Sequence, residues 1–339
     1  MSKEKDKALE VALGDVKKTF GAGIAYQFGK VKMLPVRDFF PTDCIALDIL
    51  LGGGIPREMI TEMHGPDGSG KSTLALTCVG NAQRMGEHAA YIDVEHGLDP
   101  RYAQKLGVDI AKLVVSQPDY GEQALQVAET LIDSMAVGII VVDSVAMLTP
   151  KAEVEGEIGD ANVAPLSRLM AQALRKLTVK VRKANCALVF INQLRDKIGS
   201  MGYGEQTTTP GGRALKHNAS LRLDVRRISS LKKGEDVIGS RVRVKITKSR
   251  ICSPFQEAEV DLIYGEGFSR ETDLIDVATE YGIVAKESGS HYSFNSDRIG
   301  HGREEARLFL KDRPELFATI RQLVMEEAAK KKDLDSGEN

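Results

Sequence analysis

The chain has 339 residues, 42 % hydrophobic and 28 % charged, with a net charge of −2. That composition is ordinary for a soluble globular protein of two domains or one large one, and it excludes a fibrous or disordered chain. No run approaches eighteen apolar residues and the start, Met1-Ser2-Lys3-Glu4-Lys5-Asp6, is charged, so neither a membrane span nor a secretory signal is expected; four scattered cysteines (Cys44, Cys78, Cys186, Cys252) without a C-x-x-C are expected as buried thiols in the cytoplasm, not as disulfides or metal ligands.

Residues 3–20 carry Leu9, Leu13, Val16 and Phe20 at helical spacing. A helix with one apolar stripe cannot fold alone. It must pack on its own domain or on a neighbouring subunit, and the pattern leaves both open. Gly21-Ala22-Gly23 ends it, and a mixed stretch leads to Pro41.

From about 42 to 265 strands and helices alternate. Met59-Ile60-Thr61-Glu62-Met63 reads as a strand, and Gly65-Pro66-Asp67-Gly68-Ser69-Gly70-Lys71-Ser72 follows it. This fits G-x-x-x-x-G-K-[ST], the loop that cradles nucleotide phosphates. Its glycines let backbone N–H groups turn inward as an anion nest, Lys71 supplies a point charge for the β/γ-phosphates, and the Ser72 hydroxyl is a Mg²⁺ ligand. The helix opening at Lys71-Ser72-Thr73 adds the positive end of its dipole.

Further on, Ala89–Val94 and Leu113–Ser116 read as strands. Residues 121–135 form a helix with Ala124, Leu125, Ala128, Leu131, Ile132 and Met135 on one face, and Gly138–Asp143 is an apolar run suited to a strand covered on both faces. A long helix over 165–184 precedes a buried strand, Ala187–Ile191. The expected fold is α/β, a doubly wound and mostly parallel sheet with its ligand at the carboxyl ends of the strands. Asp143 closes its strand where an acid would hold Mg²⁺. Glu95 ends its strand beside the phosphate loop, either to activate water or as an exposed strand-end acid. Gln193 closes the next inner strand, to touch a γ-phosphate or as a structural amide.

Two stretches interrupt the alternation near the ligand end, 155–164 and 195–212. Loops that long in a compact domain point to function. Residues 213–250 carry twelve Lys/Arg against Asp224, Glu235 and Asp236. Period-two alternation in Leu221–Arg226 and Val242–Ile246 puts the cations on one face, a single-sign stripe that is either a solvated basic face or, as its density favours, the seat of an anionic partner such as a nucleic-acid backbone. Beyond Gly265-Glu266-Gly267, a helix over 271–281, short strands and a helix pair over 303–330 with Pro314 at the start of the last helix suggest a small α+β domain. The polar tail, 331–339, is expected to be disordered.

Several longer runs carry a resemblance: Tyr91-Ile92-Asp93-Val94-Glu95-His96, Ile140-Val141-Val142-Asp143-Ser144-Val145, Glu155-Gly156-Glu157-Ile158-Gly159-Asp160, Phe190-Ile191-Asn192-Gln193 and Thr207-Thr208-Thr209-Pro210-Gly211-Gly212. Over nearly its whole length the chain resembles the bacterial RecA recombinases. The resemblance implies a DNA-dependent ATPase that forms a helical filament on single-stranded DNA, pairs it with homologous double-stranded DNA, exchanges strands, and stimulates self-cleavage of a LexA-type repressor. It implies ATP and Mg²⁺ as cofactors and three parts: residues 1–41 for subunit assembly, an ATPase core over 42–267, and a C-terminal domain over 268–330.

Residue by residue, it implies that Glu95 activates water and that Gln193 senses the γ-phosphate. Asp99, Tyr102 and Tyr264 lie on the nucleotide, while Lys248 and Arg250 reach the ATP of the adjacent subunit. Residues 155–164 and 194–209 match the DNA loops, with Val163 and Ile198 as apolar wedges; Arg168, Arg175, Gly211, Gly212 and Arg213 hold the backbone. Arg226, Arg227, Arg243 and Lys245 match a second site for the incoming duplex. The chain departs from the family at Gly97, at Asp67-Gly68, at Arg250 in place of lysine, in the second loop at Gly202-Tyr203-Gly204-Glu205-Gln206, and at His217 in place of phenylalanine. A hexameric helicase motor or a non-catalytic ATP-binding regulator would share the sheet and the phosphate loop; the runs at 155–160 and 207–212 argue against both.

Overall fold

The computed structural model describes residues 2–21, 24, 25, 27, 38–157, 165–196, 207–287 and 290–337, in two units, 1–38 and 39–339. In the first, the helix Ser2–Phe20 has Glu4 in its first turn and Lys17 and Lys18 in its last, each complementing the helix dipole. Its Leu9, Val11 and Phe20 are exposed.

The second unit is built on a nine-stranded sheet: β1 (Ile60–Gly65), β2 (His88–Asp93), β3 (Val114–Ser116), β4 (Val137–Asp143), β5 (Ala187–Gln193), β6 (Leu221–Lys233), β7 (Asp236–Ser249), β8 (Glu257–Ile263) and β9 (Gly267–Phe268). Their order is β9-β8-β7-β6-β1-β5-β4-β2-β3. The six strands from β6 to β3 are parallel, and β7, β8 and β9 add an antiparallel flank. Parallel strands need helical crossovers, which cover both faces and explain the unbroken apolar runs. In β4, Ile139 and Val141 enter the core on one side with the helix Lys71–Arg84, while Ile140 and Val142 enter the other with the helices Gly121–Asp133 and Pro165–Lys183.

The order corrects one expectation. The strand leading to Glu95, β2, is not next to β1; β5 and β4, which come later in the chain, lie between them. A second concerns Met135, which stands 68 % exposed past the end of its helix at a left-handed φ of 55°.

The small C-terminal domain has the helix Arg270–Glu280, a three-stranded antiparallel sheet (Ala285–Glu287, His291–Phe294, Asp297–His301) and the helices Gly302–Lys311 and Pro314–Gly337 around Leu274, Ile299, Leu310 and Val324. Asp273 of its first helix accepts a hydrogen bond from the N–H of Ala46 at the start of the helix Ile45–Leu51, tying it to the core. The last helix runs on to Gly337 where a disordered tail is expected from 331. Ala328, Ala329 and Lys330–Lys332 are strong helix formers, and no glycine or proline interrupts them before Gly337. Among the described residues no helix is long and apolar enough to cross a membrane.

Candidate nucleotide and DNA site

β1 delivers the chain to Gly65, where a Cβ would stand 2.0 Å from the Val225 carbonyl oxygen, so only glycine fits. Gly70 (φ 96°) then caps the helix Lys71–Arg84 with no side-chain bond, leaving the first N–H groups of the helix free for an anion. Lys71 is buried, and its Nζ donates to the carbonyls of Gly65 (3.0 Å) and Pro66 (2.7 Å), which holds the ammonium inside the curve of the loop. Burial pulls its pKa below the usual lysine value, and Asp67, Asp143 and Glu95 oppose that pull. The Ser69 hydroxyl is buried without a partner, as a phosphate cradle would leave it.

Ser72 Oγ donates to Asp143 Oδ2 at 2.8 Å, and the Tyr91 hydroxyl donates to the same oxygen at 2.6 Å. Burial raises the Asp143 carboxyl above its ordinary range, Glu95 and Asp93 add to the rise, and the two hydroxyls counter it. Among the described residues no group of three His, Cys, Asp or Glu side chains could hold a metal.

Although β2 is remote from β1, Glu95 still reaches the centre. Its Oε1 accepts a short hydrogen bond from Ser144 Oγ, just past Asp143, and a second from Gln193 Nε2 at 3.1 Å. Gln193 is the register partner of Gly65 across β5 and β1. Asp93 steadies the turn after β2, accepting from the N–H groups of Gly97 and Leu98 and from Gln117 Nε2. Beyond the phosphate loop, residues 68–73 with Tyr102, Leu262, Tyr264 and Gly265 line an open cavity of about 350 Å³. Thr73 Oγ1 lies 3.1 Å from the Tyr102 hydroxyl. Asp99 instead caps the helix Pro100–Lys105, accepting from Arg101 N at 2.8 Å.

Lys248 and Arg250 are not brought to this centre. Lys248 Nζ donates to the carbonyls of Lys216 (2.7 Å) and His217 (2.8 Å), and Arg250 donates to that of His217 (3.3 Å). They sit where β6 and β7 pair beside Thr61, four strand residues from Gly65, or roughly 13 Å at strand rise.

Of the two long loops, 158–164 and 197–206 lie outside the described residues, and Val163 and Ile198 with them. The second loop leaves and returns on a paired stalk, Arg195↔Thr208 and Asp196↔Thr207. Past the stalk, Gly211 (φ 86°) and Gly212 (φ 68°) turn into the helix Gly212–Asn218, and a Cβ on Gly212 would meet Ser167 Oγ at 2.6 Å. Arg168, Arg175 and Arg213 are exposed.

The basic face is not of one sign, which corrects a further expectation. Across β7 and β8, Lys245 faces Glu257, Arg243 faces Glu259 and Arg241 faces Asp261. Arg243 and Lys245 each approach Glu257 at 3.9 Å, and Arg226 pairs with Asp224 at 2.9 Å. Arg227 is exposed and bonded to Ser230 Oγ. The acids of β8 lie beyond residue 250, outside the segment whose charge is counted.

The family model of the RecA N-terminal domain matches residues 7–269, and that of the RecA C-terminal domain matches 272–329. The chain belongs to the RecA family. It is 54 % identical to the protein RecA of Geobacter sulfurreducens over 321 residues, 94 % of each chain. It is 52 % identical to that of Clostridium tetani over 327 residues, 96 % of this chain and 93 % of the other, and 53 % identical to that of Aquifex aeolicus over 326 residues, 96 % and 94 %. RecA proteins are recombinases and DNA-dependent ATPases, and this chain spans nearly their full length.

Within this RecA-family chain, sequence reasoning missed Tyr91, Ser144 and Asn192, which read as strand-core or strand-end residues. Asn192 Nδ2 donates to Glu62 Oε1 (2.9 Å) and to the Pro210 carbonyl (3.0 Å), and its Oδ1 accepts from Gln193 N (3.1 Å). The available signal was adjacency, since each of the three lies within four residues of a residue that was named.

Proposed function

We propose that this RecA-family protein hydrolyses ATP at the phosphate loop and couples that hydrolysis to filament assembly on single-stranded DNA. Gly65 to Thr73 hold the phosphates, with Lys71 countering their charge; Tyr102 and Tyr264 hold the adenine, and Asp99 sets Tyr102 by starting its helix. Ser72 and Asp143 offer the oxygens for Mg²⁺, which when bound neutralises phosphate charge.

The observation that carries the reading is the meeting of Glu95, Ser144 and Gln193 beside Asp143 and Gly65. Glu95 accepts the proton of the attacking water, with Ser144 fixing one carboxylate oxygen. Gln193 is bonded to the catalytic carboxylate while it stands across from the loop, so a γ-phosphate that draws its amide away also frees Glu95. Lys248 and Arg250, remote from their own centre, serve the ATP of the next subunit. This reading makes the active site a property of the filament, with residues 1–41 helping to join subunits.

Single-stranded DNA is held by the two loops with Val163 and Ile198, by Arg168, Arg175 and Arg213, and by the Gly211-Gly212 corner. Arg226, Arg227, Arg243 and Lys245 take the incoming duplex for strand exchange, and the filament promotes self-cleavage of a LexA-type repressor in the cytoplasm. Backbone contacts leave sequence recognition to base pairing.

The deciding experiment is ATP turnover with and without single-stranded DNA over a salt series. Stimulation that fades with salt and vanishes in Lys71→Ala supports the reading. Turnover indifferent to DNA refutes it, and directional unwinding without strand exchange would favour a helicase.

A further inference from the structure

Glu62 has no place in the nucleotide site, yet it is a carboxylate buried completely in β1, three residues before Gly65. Its Oε2 accepts from Arg222 Nε at 2.5 Å and its Oε1 from Asn192 Nδ2 at 2.9 Å. Burying an ion pair is costly, and well-packed apolar side chains would hold the sheet as firmly. The fold alone therefore gives no reason for the pair.

Its two ends lead to Asn192, which precedes Gln193, and to Arg222, which pairs with Lys248. At one end, the Asn192 amide has both sides committed: Nδ2 bonds Glu62 and the Pro210 carbonyl, and Oδ1 holds the N–H of Gln193. A flipped amide would aim its oxygen at a carboxylate and its NH₂ at an N–H, so Glu62 fixes which way Asn192 points. At the other end, Arg222 is the register partner of Lys248 across β6 and β7. Lys248 and Arg250 hold the carbonyls of Lys216 and His217, the last turn of the helix that starts at Gly211-Gly212. Two routes thus run from the cation pair to the Pro210-Gly211 corner, one along that helix and one through Arg222, Glu62 and Asn192. Together they close a ring.

We propose that Glu62 is a positioning residue that couples the Lys248/Arg250 pair to Gln193 and to the foot of the second DNA loop. The inference rests on the reading that Lys248 and Arg250 serve the ATP of the next subunit. When those cations turn from the Lys216 and His217 carbonyls to an incoming phosphate, the helix loses its C-terminal partners and Arg222 loses two neighbouring charges. Both changes bear on the same corner, and Glu62 makes Asn192 move with it.

The test compares ATP turnover with and without single-stranded DNA for the full-length protein and for Glu62→Gln, Glu62→Asp, Arg250→Ala and Glu62→Gln/Arg250→Ala, each checked by fluorescent-nucleotide binding and thermal melting. In Glu62→Gln, nucleotide binding is expected to stay within about threefold while the increment due to DNA falls about tenfold, the scale of a coupling between sites. Glu62→Asp recovers part of the increment, and Arg250→Ala costs far less in the Glu62→Gln background than alone. A Glu62→Gln protein with a full DNA increment, or losses that simply multiply in the double variant, overturns the inference. Should Glu62→Gln fail to fold, Glu62→Gln/Arg222→Met removes both buried charges and answers in its place: a retained increment overturns the inference, a lost one with intact melting supports it. If the unmodified protein ignores DNA, the functional reading itself fails, which the same data distinguish.

Discussion

Tyr91→Phe probes Asp143 through a neighbour. The ring is buried and stays in place, so the change removes one hydroxyl and leaves almost no cavity. That hydroxyl donates to Asp143 Oδ2 at 2.6 Å, alongside Ser72 Oγ at 2.8 Å. A hydrogen bond to a charged group contributes about 1.5–3 kcal/mol, so ionised Asp143 loses roughly that much. Its proton affinity then rises further, on top of the rise that burial already imposes. The sign follows from linkage. A carboxyl with a raised folded pKa holds more protons folded than unfolded, so stability is lost as pH climbs from its unfolded value through its folded one. The Tyr91→Phe protein should therefore melt about 2–5 °C below the unmodified one at pH 8, with a smaller gap at pH 4.5. ATP turnover should need more Mg²⁺ for half-saturation, because the carboxylate offered to the ion loses one of its two hydroxyl donors. Melting curves at the two pH values and a Mg²⁺ titration of turnover check both outcomes. A gap that does not widen with pH, with unchanged Mg²⁺ dependence, would refute the reasoning.

Gly212→Ala combines a left-handed φ of 68° with a Cβ 2.6 Å from Ser167 Oγ, and is expected to cost about 1–3 kcal/mol in thermal unfolding and to weaken single-stranded DNA binding; Ser167→Ala in the same chain should return part of both. Glu257→Gln releases Arg243 and Lys245 from a carboxylate they share at 3.9 Å. It should tighten duplex binding and steepen its salt dependence, read by fluorescence anisotropy at several salt concentrations, whereas unchanged affinity would place the duplex elsewhere. Burial pushes the Asp273 carboxyl up to about 7. The unmodified protein should thus lose stability as pH rises from about 4 to 7, and Asp273→Asn, whose amide oxygen can still accept from Ala46 N–H, should flatten that slope in melts at pH 5 and 7.5.

What was legible in the sequence was whatever depends on neighbours along the chain. The phosphate loop needs glycines, a lysine and a hydroxyl at fixed spacing, so residues 65–72 declare themselves. The apolar strand ending in Asp143 does the same. Sheet order is different, because β5 and β4 enter between β1 and β2 only after the chain has passed Glu95. Alternating strands and helices say that the sheet is parallel, and nothing about which strand lies beside which. Tyr91 looked like a core aromatic for the same reason: its hydroxyl acquires a partner only through the β2–β4 pairing.

Charge misled in a similar way. The stripe over 213–250 is basic in sequence, but an antiparallel ladder sets each cation against a residue counted from the far side of a turn. Glu257, Glu259 and Asp261 meet their partners only in that register. In the tail, polarity points to disorder while lysine and alanine favour a helix, and the helix runs on to Gly337.

The sheet places the strand that ends at Gln193 between the phosphate loop and the foot of the second loop. Gln193 stands across from Gly65, and neighbouring parallel strands lie about 4.8 Å apart. Two residues later the chain forms one side of the Arg195↔Thr208 stalk. A shift of Gln193 toward a phosphate is therefore a shift at the base of the stalk, provided that the intervening backbone is held and cannot absorb it. Asn192 supplies that hold, bonded to the Gln193 N–H on one side and to the Pro210 carbonyl beyond the loop on the other. Both feet of the loop are thus bonded to one amide, and on the proposed role of Gln193 that amide is what would pass a movement at the phosphate to the stalk.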